Sequence, residues 1–303
     1  MPNSAPRPWR MFLPLAIVLL LAVLWSGYWV IASGIARDRL AAERAKLAAE
    51  GFALSCAKEV WGGYPFHFEL SCTSPILSHA GQVELHSANL LLVALAYAPW
   101  QVSALIDGPT VLSGPGQKQT EITHQRALAA VTFDKAWRPS FSADIPAVSY
   151  GTLGRAEKLM LFTRPSISGG TDVAVDGSGI TYTPEGKPPV TIDAGSLQGT
   201  VQTYQSFKID KVELRQGQLS YWGSGTLALD DSNRMTGQID TETNDIQKLL
   251  AAAGPQLGLS DGKLANLRTV LGLLGNGAKV PIIAKDGALY LGPFQVAELK
   301  PVY

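Results

Sequence analysis

The sequence predicts a mainly β protein with an N-terminal transmembrane helix. Its domain is predicted to be an elongated, curved antiparallel sheet, with two short helices near the C-terminus. Residues 11–36 contain no charged side chain. Beyond residue 50, short stretches of alternating apolar and polar residues recur between Gly, Pro and Asp turns. Charged residues are only 17% of the chain, which also holds 30 Gly and 19 Pro, a composition typical of many short strands.

The uncharged run predicts a helix that crosses a membrane. At 1.5 Å per residue it would reach roughly 39 Å, more than the ~30 Å hydrocarbon core of a bilayer. Trp25, Tyr28 and Trp29 lie toward its distal end, where aromatic rings prefer the headgroup level. Ala-rich sequence with helical spacing then predicts a stalk. The predicted organisation is a cytoplasmic tail at 1–10, a transmembrane anchor at 11–36, a helical stalk at 37–50 and a periplasmic β-rich domain at 51–303.

Charge leaves the orientation of this helix open. Arg7 and Arg10 favour a cytoplasmic N-terminus, but the distal flank is also basic. We favour the cytoplasmic N-terminus because the following domain has the features of an exported one. Small residues at 26–27 and 32–34 leave cleavage open as well. The length of the apolar run and the helical character beyond it favour an uncleaved anchor.

The only two cysteines, Cys56 and Cys72, flank a predicted hairpin. The turn signal Trp-Gly-Gly-Tyr-Pro at residues 61–65 would bring the two sulfur atoms close. In an oxidising compartment this arrangement favours a disulfide. Two free buried thiols are the alternative, and a metal site is a poor third because no further ligands have suitable spacing.

One stretch, residues 88–97, is apolar on both faces of a predicted strand. Such a strand must be covered on both sides. It is either a central strand packed between two layers, which we favour, or a strand whose second face lines an apolar groove for acyl chains. The groove candidates are Leu90, Leu91, Leu92, Val93, Leu95 and Tyr97.

Local patterns also predict finer features. Alternation places Phe66, Phe68 and Leu70 on one buried face. Near the C-terminus, Thr243 or Asn244 is predicted to cap a helix that stops at Gly254-Pro255. Ser260 or Asp261 is predicted to cap a second helix that ends at Gly275, with leucines at 264, 267, 271 and 274 on its apolar face. Asp286-Gly287 predicts the turn of a closing hairpin.

No motif in the sequence indicates catalysis or a cofactor. The 25 basic and 25 acidic residues balance, so no electrostatic argument supports nucleic-acid binding. The four histidines, His67, His79, His86 and His124, lack ligand spacing. No nucleophile elbow, phosphate loop or dinucleotide fingerprint is complete. We therefore expect a protein that is not an enzyme and holds no metal or cofactor.

Three features together resemble a known family. They are the apolar N-terminal anchor, Gly-Tyr-Pro-Phe at residues 63–66 between the cysteines, and Leu-Tyr-Leu-Gly-Pro-Phe at residues 289–294. Together they are similar to the bacterial domain-of-unknown-function family 2125. That resemblance implies a periplasmic protein of unknown activity, anchored in the inner membrane. The hairpin-then-helix pattern at residues 225–250 is more weakly similar to AsmA-like envelope proteins, which are associated with lipid transport.

The functional hypothesis from these observations is a periplasmic domain that binds or passes a lipid or another apolar envelope component in a β-groove. Apolar burial would supply the affinity. The alternative is a non-catalytic scaffolding module that binds an envelope protein through a sheet edge.

Overall fold

A computed structural model describes residues 9–80, 82–115, 119–203, 205–257, 261–273 and 279–302. These residues form three α-helices and one antiparallel sheet of eighteen strands. The helices are α1 (Trp9–Ala49), α2 (Ile246–Leu257) and α3 (Asp261–Gly272). The strands are β1 (Phe52–Ser55), β2 (Lys58–Gly62), β3 (His67–Thr73), β4 (Ile76–His79), β5 (Val83–Leu95), β6 (Ala98–Ser113), β7 (Thr120–Thr123), β8 (Ala127–Phe133), β9 (Pro139–Tyr150), β10 (Gly154–Pro165), β11 (Thr171–Tyr182), β12 (Val190–Thr203), β13 (Ser206–Gln216), β14 (Leu219–Leu229), β15 (Met235–Thr243), β16 (Lys279–Lys285), β17 (Ala288–Leu291) and β18 (Phe294–Glu298).

The sheet is largely a meander. From β8 to β18 each strand pairs with the next one in the chain, and α2 and α3 are inserted between β15 and β16. At the N-terminal end the order is β2-β3-β5-β6-β8. The short strand β4 pairs with β5 beyond the end of β3, and the short strand β7 pairs with β6 and β9 beyond the end of β8. Strand β1 pairs with β4. The predicted fold class, mainly β with one large antiparallel sheet, an apolar N-terminal helix and two short C-terminal helices, is confirmed.

Helix α1 joins the predicted anchor and stalk into one continuous helix of 41 residues. Its most apolar window has a mean hydropathy of 2.3, and none of that window is buried inside the protein. The exposed side chains of residues 12–24 therefore have no protein partner to cover them. A helix of this length and composition suggests a single-pass membrane anchor.

The hairpin of β2 and β3 carries the disulfide between Cys56 and Cys72. Phe68, Leu70 and Cys72 alternate onto one face of β3, where they are 7%, 3% and 1% exposed. The prediction that Phe66 shares this buried face is wrong. Strand β3 begins at His67, so Phe66 lies in the preceding turn and is 62% exposed.

The two C-terminal helices pack against the last strands of the sheet. They form a compact core whose buried members are Ile246, Leu250, Leu267, Leu271, Val280 and Val296. Leu264, Leu267 and Leu271 lie on the packed face of α3, as the sequence predicts. Leu274 lies outside the described residues.

The helix boundaries differ from the prediction at several positions. Asp245, rather than Thr243 or Asn244, caps α2, because its Oδ1 accepts a hydrogen bond from the Lys248 backbone N–H at 3.0 Å. The Thr243 hydroxyl instead donates to the Ser220 carbonyl, and the Asn244 side chain bonds the start of β14. Both side chains are used by the neighbouring strand and are not free to cap.

Gly254-Pro255 does not end α2, which continues to Leu257. A proline in the last turn removes only one helical hydrogen bond. A Cβ at Gly254 would lie 2.8 Å from a Leu264 methyl group, so this glycine allows α2 and α3 to approach closely. Helix α3 ends at Gly272. The predicted cap Ser260 and stop Gly275 lie outside the described residues.

The disulfide should be a major source of stability for the N-terminal hairpin. Replacing both Cys56 and Cys72 by Ala should lower the free energy of unfolding by about 3 kcal/mol, because the unfolded chain regains the entropy of an open loop. Urea unfolding in detergent, with and without reductant, measures the change. Reduction should shift the wild-type midpoint and leave the double variant unaffected; an unchanged wild-type midpoint would contradict the prediction.

The cap of α2 makes the docking of this helix sensitive to acid. The Lys248 backbone N–H donates to the Asp245 carboxylate and holds the pKa of that carboxyl below its ordinary value of 3.8. This contribution to stability is complete above the unfolded-state pKa and is lost as the pH falls through the lowered folded-state pKa.

Asp245→Asn keeps an acceptor oxygen at the cap but removes the titrating charge. The difference in melting temperature between wild type and this variant should therefore stay constant at neutral pH and shrink as the pH falls below 3.8. Circular dichroism melts at a series of pH values measure it. Two curves that remain parallel through the acid range would show that the charge does not matter.

Candidate functional site

One face of the sheet is apolar across nearly its whole width. Residues that pair across an antiparallel ladder point to the same face, so the face can be followed from strand to strand through the register. Two rows of paired residues run without interruption from the N-terminal to the C-terminal strands. The first row is Trp61, Leu70, Leu92, Ala104, Ala129, Ala143, Leu161, Val175, Leu197, Val212, Gly223, Thr241 and Val280. The second row is Phe68, Ala94, Val102, Val131, Phe141, Thr163, Val173, Gly199, Ile209, Gly225, Ile239, Ile282, Leu291 and Phe294.

We call the surface that carries these two rows the apolar face. Its polar members are two threonines, Thr163 and Thr241, and the Thr241 hydroxyl is satisfied by donating to the Val280 carbonyl. Strands lie about 4.8 Å apart, so the eight steps from β5 to β14 extend over roughly 40 Å. The apolar face is therefore a long stripe rather than a local patch.

A β-bulge keeps the face continuous where the register shifts. On β13, Ile209 pairs with Gly199 and Val212 pairs with Leu197. The two residues are three positions apart, which would put them on opposite faces of a regular strand. The extra residue in the bulge restores them to the same face.

Glycines on the apolar face lie beneath large neighbouring side chains. A Cβ at Gly177 would lie 2.8 Å from Ile180, and one at Gly223 would lie 3.0 Å from Val212. Glycine positions and bulges are the features that let a sheet bend toward one face. The large side chains here can therefore fold over their small partners.

The described part of the chain covers the apolar face only toward its two ends. Most of the buried apolar residues belong either to β3 and the turn beside α1 or to the α2–α3 core. On the strands between, from β6 to β13, the buried apolar side chains are those of Ala127, Ala156 and Ile209. Leu161, Val175, Leu197 and their neighbours are half-buried. Within the described ranges, α2 lies over one end of β11 to β13, and no other helix and no second sheet is packed over these middle strands.

Helix α1 closes the N-terminal end of the apolar face. The ring centroids of Trp29 and Phe68 lie 6.0 Å apart, and the Arg37 guanidinium lies 5.3 Å from the centroid of the Trp61 ring. Farther along the helix, Arg44 Nη1 donates to Glu59 Oε2 at 2.8 Å. The first residues of both rows thus lie directly against the helix that suggests a membrane anchor.

Helix α2 closes the other end but leaves space beneath it. A cavity of about 320 Å³ separates Leu249, Ala252 and Ala253 from the ends of β11 to β14. The far end of the helix is tied to the β11–β12 connection, where Gln256 Nε2 donates to the Pro188 carbonyl at 2.9 Å. On the sheet side the cavity is lined by Tyr182, Val190, Ile192, Leu214, Leu219 and Tyr221. Burial there raises the pKa of the Tyr221 hydroxyl. The apolar surface therefore continues under the helix.

The opposite face of the sheet is polar from β9 onward. The row behind the first apolar row is Leu91, Leu105, Leu128, Asp144, Met160, Asp176, Ser196, Glu213, Trp222, Glu242 and Lys279. Ion pairs such as Lys158–Asp144 at 2.9 Å lie on this side. A recess of about 510 Å³ is lined there by Ser140, Ser142, Arg164 and Asp172. This face is suited to water.

The predicted groove residues are divided between these surfaces. Leu90 and Leu92 point to the apolar face, since they pair with Cys72 and Leu70. Leu91, Val93 and Leu95 point to the opposite face, and all five leucine and valine side chains are half-buried. Tyr97 lies in the turn after β5 and is 62% exposed. The favoured interpretation, a strand packed between two layers, stays a prediction: the described strands, β5 among them, form one hydrogen-bonded sheet.

Most of the apolar face was not predicted from the sequence. Alternation is visible in β13, where Val212 and Leu214 flank Glu213, and in β11 around Val175. These strands carry Gly, Ala and Thr among the larger residues, so each one alone is a weak signal. Only their shared register reveals the stripe. Among the described residues, no group of three His, Cys, Asp or Glu is arranged to hold a metal ion.

Comparison with curated proteins and with solved structures finds no match. A family model does match, over residues 29–300, and its description is an uncharacterised protein conserved in bacteria. The match includes the turn at residues 63–66, which contacts α1, and the β17–β18 hairpin that packs on the C-terminal helices. It covers most of the chain, and the protein therefore belongs to the DUF2125 family.

Proposed function

We propose that this protein is a single-pass protein of the bacterial inner membrane whose periplasmic domain binds acyl chains along the apolar face. The ligand is a lipid or another apolar component of the envelope. The observation that carries the proposal is the pair of uninterrupted apolar rows, which the described residues leave uncovered over most of the middle strands. A contiguous exposed apolar surface of this size is typical of an interaction site.

The proposed binding energy comes from the chains and not from a headgroup. Covering roughly 100 Å² of apolar surface contributes about 2.5 kcal/mol, before the costs of ordering and association. The apolar face offers no charged side chain in either row to fix a phosphate or a sugar. We therefore expect selection by chain length and shape, with little selection by headgroup.

The proposed location rests on two features. The disulfide between Cys56 and Cys72 is typical of an oxidising compartment such as the periplasm. Arg7 and Arg10 precede the apolar run and favour a cytoplasmic N-terminus. This proposed orientation puts the start of the apolar face on the periplasmic side of the inner membrane.

We propose no catalytic step. Perturbed carboxylates often mark active sites, but here they lie in exposed ion pairs. Arg126 donates to Asp107 and lowers the pKa of that carboxyl. The backbone N–H of Arg234 lowers the pKa of Asp230 in the β14–β15 turn in the same way. Neither pair lies in the two apolar rows.

Adjacent residues of β10 provide a matched test, because they point to opposite faces. Leu161→Asp puts a carboxylate in the middle of the first apolar row, where contact with a chain would desolvate it. Phe162→Asp puts the same group on the polar side, at a residue that is 43% exposed. The full-length protein is purified in mild detergent, co-purified lipids are identified by mass spectrometry, and binding of a fluorescent fatty acid is titrated.

We expect wild type and Phe162→Asp to retain lipid and bind the probe. For Leu161→Asp, the amount of retained lipid and the affinity for the probe should both fall by about tenfold or more, which corresponds to roughly 1.4 kcal/mol. Val175→Asp, on the neighbouring strand of the same row, should reproduce the loss. Melting temperatures check that each variant is folded. A wild type without lipid or probe binding, or equal binding by all four proteins, would contradict the proposal.

The second candidate is a scaffold that binds an envelope protein. It is favoured by Leu91, Leu105 and Leu128, which form a small apolar patch on the opposite face, with Leu128 47% exposed. Leu128→Asp separates the two candidates. Loss of a crosslinked partner protein with lipid retention unchanged would favour the scaffold, whereas unchanged crosslinks would leave acyl-chain binding as the function.

A further inference from the structure

The β domain is hydrogen-bonded to residues 25–29 of α1. Trp25 Nε1 donates to the Pro65 carbonyl at 2.9 Å, and Tyr28 Oη donates to the Ala96 carbonyl at 2.6 Å. Trp29 Nε1 donates to the His67 carbonyl at 3.1 Å. Two turns are therefore bound to residues 25–29 of α1. One is the β2–β3 turn at residues 63–66, and the other is the β5–β6 turn at residues 96–97.

Residues 25–29 of α1 lie within the membrane-spanning stretch wherever that stretch begins. A helix needs about 20 residues to cross a hydrocarbon core of about 30 Å. The uncharged run is residues 11–36, so the span starts no earlier than residue 11 and ends no later than residue 36. Any stretch of about 20 residues within these limits contains residues 25–29. The two turns must then reach the edge of the hydrocarbon.

The side chains of the two turns suit that position. Tyr64, Phe66 and Tyr97 are 58%, 62% and 62% exposed, although all three are large and aromatic. Neither turn contains a charged residue. Aromatic side chains with such exposure are expected at the boundary between headgroups and acyl chains. The turns are also joined to one another, because the Ala96 N–H donates to the Phe66 carbonyl at 2.9 Å.

We propose that the β2–β3 and β5–β6 turns enter the bilayer beside α1, with Tyr64, Phe66 and Tyr97 in contact with phospholipid. The partner is the membrane surface itself. The sheet is then attached to the bilayer by these two turns as well as by α1. The two attachments together fix the direction of the sheet relative to the membrane. This inference rests on the contacts with α1 and stands without the proposed function.

If the proposed function also holds, the insertion explains how a chain reaches the apolar face. Phe68 and Ala94 start the second apolar row directly beside the two turns. An acyl chain could then move from the leaflet to the sheet without crossing water.

Photocrosslinking in a defined bilayer tests the insertion. The full-length protein carries p-benzoylphenylalanine in place of Phe66 or of Tyr97, and is reconstituted in vesicles of phosphatidylethanolamine and phosphatidylglycerol. Trp222, which is 37% exposed on the polar face between Glu213 and Glu242, is the control position. After irradiation, mass spectrometry of the intact protein detects the added mass of one phospholipid. Alkylation before and after reduction checks that each variant has formed the Cys56–Cys72 disulfide.

We expect phospholipid adducts at positions 66 and 97 and none at position 222. Absence of adducts at both turn positions would overturn the insertion, and so would equal adducts at all three. A fourth position, Leu161→p-benzoylphenylalanine, reports separately on the middle of the apolar face. Adducts at 66 and 97 without one at 161 support insertion and count against acyl-chain binding. An adduct at 161 without adducts at 66 and 97 supports acyl-chain binding and counts against insertion.

Discussion

The structure depends on the hydrophobic effect acting on one face of a single-layer sheet. A sheet with one apolar face is normally covered by a second layer, because exposed apolar surface destabilises the folded state. Here fifteen of the strands place apolar side chains on a common face, and the described residues cover that face only toward its two ends. Large side chains beside glycines, as at Gly177 and Gly223, shield part of this surface. The rest is half-buried and available for contact with an apolar molecule.

The two ends of the apolar face are closed in different ways. At the C-terminal end, α2 and α3 form the best-buried core of the molecule, around Leu250 and Leu271. That closure is held by side-chain packing and by the Asp245 cap. At the N-terminal end, α1 closes the face through the hydrogen bonds of tryptophan and tyrosine side chains to backbone carbonyls. These donors satisfy backbone carbonyl groups at the turns and leave the faces of the aromatic rings free for apolar contact. Aromatic side chains of this kind suit a position at the membrane boundary.

The opposite face of the sheet has the composition of a surface in contact with water. From β9 onward it carries carboxylates and lysines in short ion pairs, including Lys158–Asp144 and Lys211–Glu213. Exposed pairs of this kind add little to stability, but they keep that side of the sheet hydrated. The two faces of the sheet therefore differ in polarity, and under the proposed function the ligand contacts only the apolar one.

The sequence alone determined the features that depend on neighbouring residues. An uncharged run of the right length specifies α1, a Gly-Gly-Tyr-Pro turn between two cysteines specifies the first hairpin, and leucines at helical spacing specify α3. The cap of α2 was misplaced by one or two residues because Thr243 and Asn244 are used by β14, a contact that local sequence does not show. Phe66 was assigned to the core because alternation continues into the turn, whereas Phe66 precedes β3, in a turn whose Pro65 and the following His67 accept hydrogen bonds from α1.

Only the tertiary structure decided which strands share a register and therefore which residues form one surface. Leu92 and Leu161 belong to the same apolar row although they are far apart in the chain, and the bulge on β13 returns Ile209 and Val212 to the same face. Small residues such as Ala129 and Gly223 become part of that surface through their partners and not through their own hydrophobicity. Pairing between distant strands is selected by the burial of whole faces, a property of the assembled sheet that no single segment contains.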